Sequence, residues 1–178
     1  MQSSAVPVQC KLDVSEPPEP PSAVFVTEVT SRSVSVSWYP AYDGNTPILG
    51  YLLQYKARLT TATAWHHNNN NSKKNLTIPA SASSATIIGL EPDTEYQVSV
   101  LSRNSVGVGQ PSQQVVATTA QEAPSGPPQS VRVEPVSSTE LRVTWQPPRL
   151  AERNGAILGY YIRYGRLGTE MLSKQTIR

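Results

Sequence analysis

Between Ser33 and Trp38 the chain alternates strictly. Val34, Val36 and Trp38 fall on one side of an extended backbone, and Ser33, Ser35 and Ser37 fall on the other. A period of two marks a half-buried β-strand. The same period places Tyr51, Leu53 and Tyr55 opposite Leu52, Gln54 and Lys56, and it returns in Tyr96, Val98 and Val100 after the apolar positions Ile87 and Leu90. Farther on, Leu141, Val143 and Trp145 share a face, as do Tyr160, Ile162 and Tyr164. Turn-forming clusters separate the runs: "YDGNTP" at 42–47, "PASASS" at 79–84 and "NSVGVGQPS" at 104–112. About seven short strands in roughly 100 residues predict an all-β, antiparallel, immunoglobulin-like β-sandwich.

The pattern occurs twice. "SVSVSW" ending at Trp38 returns as "ELRVTW" ending at Trp145, and "ILGY" recurs, so that Gly50 matches Gly159, Tyr51 matches Tyr160 and Tyr55 matches Tyr164. The period of 107–109 residues is that of a whole domain, too long for a solenoid unit. Proline clusters, Pro17 to Pro21 and Pro124 to Pro128, punctuate the copies. Proline fixes φ and favours extended backbone, so these linkers are expected to be short and semi-stiff. The division is therefore one complete domain over 20–119, a linker over 120–126 and a second copy over 127–178.

"LEPDTEY", Leu90 to Tyr96, occurs once. Leu90 is expected to plug the core and Pro92 to stiffen the turn. Tyr96 would bury its ring while its hydroxyl bonds back to the upstream backbone, forming a tyrosine corner that ties one sheet to the other. On this reading the second copy is C-terminally incomplete, reaching Arg178 before its last three strands and before a corner of its own. Trp145, Tyr160 and Tyr164 are then structural positions of a half-built sandwich.

Composition narrows the function classes. Fifteen basic and 13 acidic residues give a net charge of +2 among 178 residues, with no basic footprint for nucleic acid. One cysteine, Cys10, excludes an intrachain disulfide and a thiolate cluster. No apolar run approaches the roughly 20 residues of a membrane span, and no signal peptide is visible. His66 and His67 adjoin "NNNN" without a carboxylate or cysteine nearby, and Asp43 with Asn45 lacks the glutamate that closes a calcium loop. No metal, cofactor or nucleophile–base arrangement is expected, and so no enzyme. Two glycosylation sequons remain, at Asn70 and Asn75, both expected in a surface loop, with Asn75 the better candidate because Thr77 lies outside the polyasparagine run. The surface is expected to be polar, without an aromatic cluster of hot-spot type.

Pro21, Trp38, "ILGY" with Tyr55, "LEPDTEY" and "RNSVGVGQPS" together resemble a fibronectin type III domain. "YDGNTPILGY", "EAPSGPPQSVRVEPVSST" and "LRVTWQPP" with "NGAILGYYIRY" resemble, more narrowly, the modules of Down syndrome cell adhesion molecules, the Dscam family, in its arthropod wording. That resemblance implies that 1–19 is the end of a preceding immunoglobulin-type domain with a proline linker. It also implies a non-catalytic stalk or spacer in the extracellular part of a plasma-membrane receptor for homophilic cell–cell adhesion, in neuronal wiring or immune recognition. Its partners would be proteins, the same receptor or another on a facing cell, met mainly through domains outside this chain, with no membrane contact by this segment. A muscle-type intracellular scaffold, a receptor phosphatase ectodomain and a carbohydrase accessory module are the competing expectations.

Overall fold

The computed structural model describes residues 14–58, 72–165, 168 and 173–177. Seven strands build the first module: β1 (Ser22–Val29), β2 (Ser33–Tyr39), β3 (Gly50–Ala57), β4 (Lys74–Pro79), β5 (Ser84–Ile88), β6 (Glu95–Arg103) and β7 (Val115–Thr118). They form two antiparallel sheets, ordered β1-β2-β5 and β4-β3-β6-β7. The alternation read from β2 is realised: its burial follows the period of two, with Val34, Val36 and Trp38 essentially sealed. These three meet Tyr51 and Leu53 of β3, Val98 and Val100 of β6 and Ile87 of β5 in one core between the sheets. Removing such side chains from water is the main stabilising term of a sandwich.

Two features depart from simple alternation. β6 is buried on both faces from Val98 to Ser102. Where β7 does not reach, the 104–112 loop satisfies its backbone: Gly109 N–H donates to the Ser102 carbonyl at 2.9 Å and Ser112 N–H to the Val100 carbonyl at 2.9 Å. β1 carries a bulge between Ser22 and Phe25, with Ala23 at a left-handed φ of 47°. Few alanines adopt that conformation, and a bulge is where one is tolerated.

The second copy forms two hairpins, β8 (Gln129–Pro135) with β9 (Leu141–Gln146), and β10 (Tyr160–Tyr164) with β11 (Ser173–Ile177). They repeat the β1–β2 and β3–β4 pairs. Even the bulge is copied, between Gln129 and Arg132, with Ser130 at a φ of 52°. The Trp38 and Tyr51 rings meet edge-on at 5.3 Å and 61°, and Trp145 meets Tyr160 at 5.2 Å and 63°. The packing differs, however. Val131, Val133 and Leu141 remain more than half exposed, whereas Val34 and Val36 are sealed.

Candidate functional site: the joint between the modules

Residues 119–125 connect the modules and are hydrogen-bonded on both sides. Toward the first module, Ala120 N–H donates to the Thr30 carbonyl at 3.0 Å and the Ala120 carbonyl accepts from Asp93 N–H at 3.2 Å. Glu122 then reaches back to the β1–β2 turn. Its carboxylate accepts from Ser31 Oγ at 2.6 Å, from Arg32 Nε at 3.0 and 3.1 Å and from Arg32 Nη2 at 2.7 Å. The side-on guanidinium matches the planar carboxylate with two parallel donors, the stronger form of ion pair. The Arg32 hydrogen bonds, followed by that of Ser31, hold the Glu122 carboxyl below its ordinary value, and the same contact raises Arg32.

Toward the second module, Glu122 N–H donates to the Asn154 carbonyl at 2.9 Å and Ser125 N–H to the Glu152 carbonyl at 2.8 Å. Asn154 Nδ2 donates to the Ala123 carbonyl at 3.1 Å. These acceptors lie in the β9–β10 connection, which opens with a short 3-10 turn, Leu150–Glu152. A cleft of about 530 Å³ lies between the modules, walled by Pro92 and Asp93 of the corner turn and by Arg153 to Ile157.

"LEPDTEY" therefore borders the joint. Leu90 and Tyr96 are buried, Pro92 is half-buried, and the Tyr96 hydroxyl accepts from Glu91 N–H at 3.0 Å. Thr119 locks the turn from the linker side, its Oγ1 accepting from Thr94 N–H at 3.0 Å and donating to the Glu91 carbonyl at 2.6 Å. Trp38 and Tyr51 are core residues, whereas Tyr55, Trp145 and Tyr160 are half-buried and Tyr164 is exposed.

Asn75 is exposed, but it stands in strand β4 and pairs with Gln54 of β3. The surface-loop expectation is corrected here for Asn75: Leu76 pairs with Leu53 and the buried Ile78 with Tyr51, which places Asn75 in the edge strand. Asn75 and Thr77 share the outward face. Asn70, His66, His67 and Cys10 lie outside the described residues. Among the described residues no three His, Cys, Asp or Glu side chains are grouped to hold a metal ion.

Sequence reasoning missed three groups. Asn104 is 3% exposed and fully bonded: Oδ1 accepts from Val106 and Gly107 N–H at 2.9 and 3.0 Å, while Nδ2 donates to the Glu16 and Asp43 carbonyls at 2.7 and 2.9 Å. Residues 14–19 are thereby fastened to the first module, and Gly44 and Gly109 leave room where a Cβ would strike the Glu16 and Pro18 carbonyl oxygens. Arg32 with Glu122 was the second. The third corrects the expectation of a surface without aromatic clusters: Phe25 and Tyr39, 14 residues apart in sequence, stand exposed with ring centroids 6.1 Å apart, because β1 and β2 are antiparallel neighbours.

The sandwich, its corner and its bonded linker define a class: tandem β-sandwich-type modules. The fibronectin type III domain family matches residues 19–118 and 126–177, and the chain belongs to it. It is similar to cell adhesion molecule Dscam1 of Drosophila melanogaster, 40% identical over 85% of this chain and 7% of that protein. Human cell adhesion molecule DSCAM is 35% identical over 89% of this chain and 8% of that protein. The chain thus spans less than a tenth of these relatives' length. Among solved structures, the FN1–FN3 domains of chicken CNTN1 superpose with a TM-score of 0.60 at 26% identity, over 91% of this chain and 52% of that one.

Proposed function

We propose that this chain is a non-catalytic, extracellular spacer of a cell-surface adhesion receptor, holding recognition domains elsewhere in the parent at a set distance and angle for contact between cells. The observation that supports it best is the linker hydrogen-bonded to both modules, which orients one against the other. The adhesion molecules to which the chain is similar favour this reading over a muscle scaffold or a receptor phosphatase. N-glycan on Asn75, and on Asn70, belongs to the same proposal: the exposed edge strand β4 presents Asn75 to solvent, and only a chain segment that enters the secretory pathway, never a cytosolic one, receives the sugar.

Beads coated with residues 1–178 are expected not to aggregate, whereas beads carrying the parent's complete ectodomain should aggregate homophilically. Robust aggregation by a folded 20–119 module would place an adhesive surface on this domain and end the spacer reading, with Phe25 and Tyr39 the first residues to replace. For the compartment, treatment of the natively expressed protein with a peptide N-glycan amidase, which hydrolyses the side-chain amide and releases the glycan as its glycosylamine, should convert Asn75 to aspartate. Unmodified asparagine at both sequons in natively expressed protein would favour the intracellular alternative.

A further inference from the structure

The two junctions that frame the first module are built alike. At the joint, Glu122 and Ser125 donate their backbone N–H groups to the Asn154 and Glu152 carbonyls; ahead of the first module, Glu16 and Glu19 donate theirs to the Gly44 and Tyr42 carbonyls, each at 3.0 Å. Donor spacing is three residues in both and acceptor spacing is two. The acceptors of the glutamate amides, Gly44 and Asn154, both adopt left-handed backbone, at φ 74° and 54°, and in each junction an asparagine sends Nδ2 to a linker carbonyl, Asn45 to Val14 just before the glutamate and Asn154 to Ala123 just after it. "EPPEPP" and "EAPSGPP" place a glutamate two residues before a proline in each.

One difference stands out. Glu122 carries a partner on the module upstream of it, the Arg32 and Ser31 side chains. Glu16 is exposed, and among the described residues no cation pairs with it. We infer that the N-terminal pole of the first module is the receiving half of a second joint of the same kind, with Glu16 in the role of Glu122. Its occupant is another β-sandwich module upstream in the same polypeptide, whose first β-turn offers an arginine or lysine to the Glu16 carboxylate. The backbone bonds of Glu16 and Glu19 fix the direction in which the chain leaves the pole, so an upstream module arrives already oriented. Such a module would cover Val14, Val106 and Val108, which are 68%, 48% and 47% exposed around that linker. The inference stands on the paired junctions alone and is independent of any adhesive role.

The test gives the pole an upstream module whose turn is known. Residues 16–178 are extended by a second copy of residues 22–121, so that Gln121 precedes Glu16 and a second Arg32 lies within reach. Spin labels across each joint report distance distributions by pulsed electron resonance. The inference expects the new joint to be as narrow as the native one, and Glu16→Gln to broaden the new joint as Glu122→Gln broadens the native one. A new joint as broad as one carrying a Gly-Ser linker, with both flanking modules folded by hydrogen exchange, would overturn it. So would Glu16→Gln leaving a narrow distribution unchanged, since the carboxylate would then have no part. In the unextended chain, dimerisation abolished by Glu16→Gln would also overturn it, by assigning the pole to a second copy.

Discussion

Tyr96 carries out at one position what the fold requires of a crossover between sheets: a buried ring with a satisfied hydroxyl. Replacing it by phenylalanine leaves Glu91 N–H without its acceptor and should cost about 1–3 kcal/mol in urea unfolding; a variant as stable as wild type would exclude the corner's role. Burial pushes the phenol above its ordinary value of 10.0, while the Glu91 bond opposes the shift. Unfolded chain therefore ionises first, so this contribution is complete below about pH 10 and is lost as pH rises through the raised folded value. The alkaline decline in stability should accordingly be shallower in Tyr96→Phe. Asn104 is the contrasting residue. Its four hydrogen bonds gather partners from 16, 43, 106 and 107, and Asn104→Ala should destabilise the module by about 2–4 kcal/mol. Tyr96 was legible because its partner is local and its spacing from Leu90 is short. Asn104 was not, because its meaning depends on segments 61 and 88 residues away.

Elements were read with similar unevenness. β2, β3 and β6 announced themselves by alternation, since each sends every second residue into the core, although β6 buries its other face as well. β4 was hidden because Asn75, a poor strand former, follows a polyasparagine run in sequence; the ladder that pairs Leu76 with Leu53 and Ile78 with Tyr51 is tertiary. The linker before β1 was read as proline stiffness; its hydrogen bonds to Tyr42 and Gly44 belong to tertiary structure. A consequence follows for Gly109→Ala, whose Cβ would strike the Pro18 carbonyl oxygen. Amide exchange at Glu16 and Glu19 should accelerate in that variant while the core strands keep their protection, and unchanged exchange at both amides would show that the linker is not held there.

At the level of the whole chain, two modules are joined by a charged clasp. The Glu122 carboxyl, held low by Arg32 and Ser31, stays ionised above its ordinary value of 4.5 and protonates as pH falls through the lowered folded value. The distance distribution across the joint should therefore be narrow near neutrality and widen in acid. High salt should act in the same direction, because both side chains are partly exposed and screened. A distribution indifferent to acid, to salt and to Glu122→Gln would leave the orientation to the backbone bonds alone. Protection should also be lopsided: hydrogen exchange slow in β2, β3, β5 and β6 and fast in the β8–β9 and β10–β11 hairpins, whose Val131, Val133 and Leu141 face water. Uniformly slow exchange in monomeric protein would contradict that.

The copied bulge has a cost during folding. Ser22 pairs with Tyr39 and Gln129 with Gln146 in the same register, with left-handed residues one position later in both. β8 is thus an interchangeable part for β1, and a newly collapsed chain can seat it against β2. Neighbouring modules of like sequence are prone to this strand exchange. Refolding of the 178-residue chain should pass through a slow, escapable trap that residues 20–119 alone do not enter. Sequence divergence between "SAVFVTEV" and "QSVRVEP" is what keeps that trap shallow, and restoring identity between the two should deepen it.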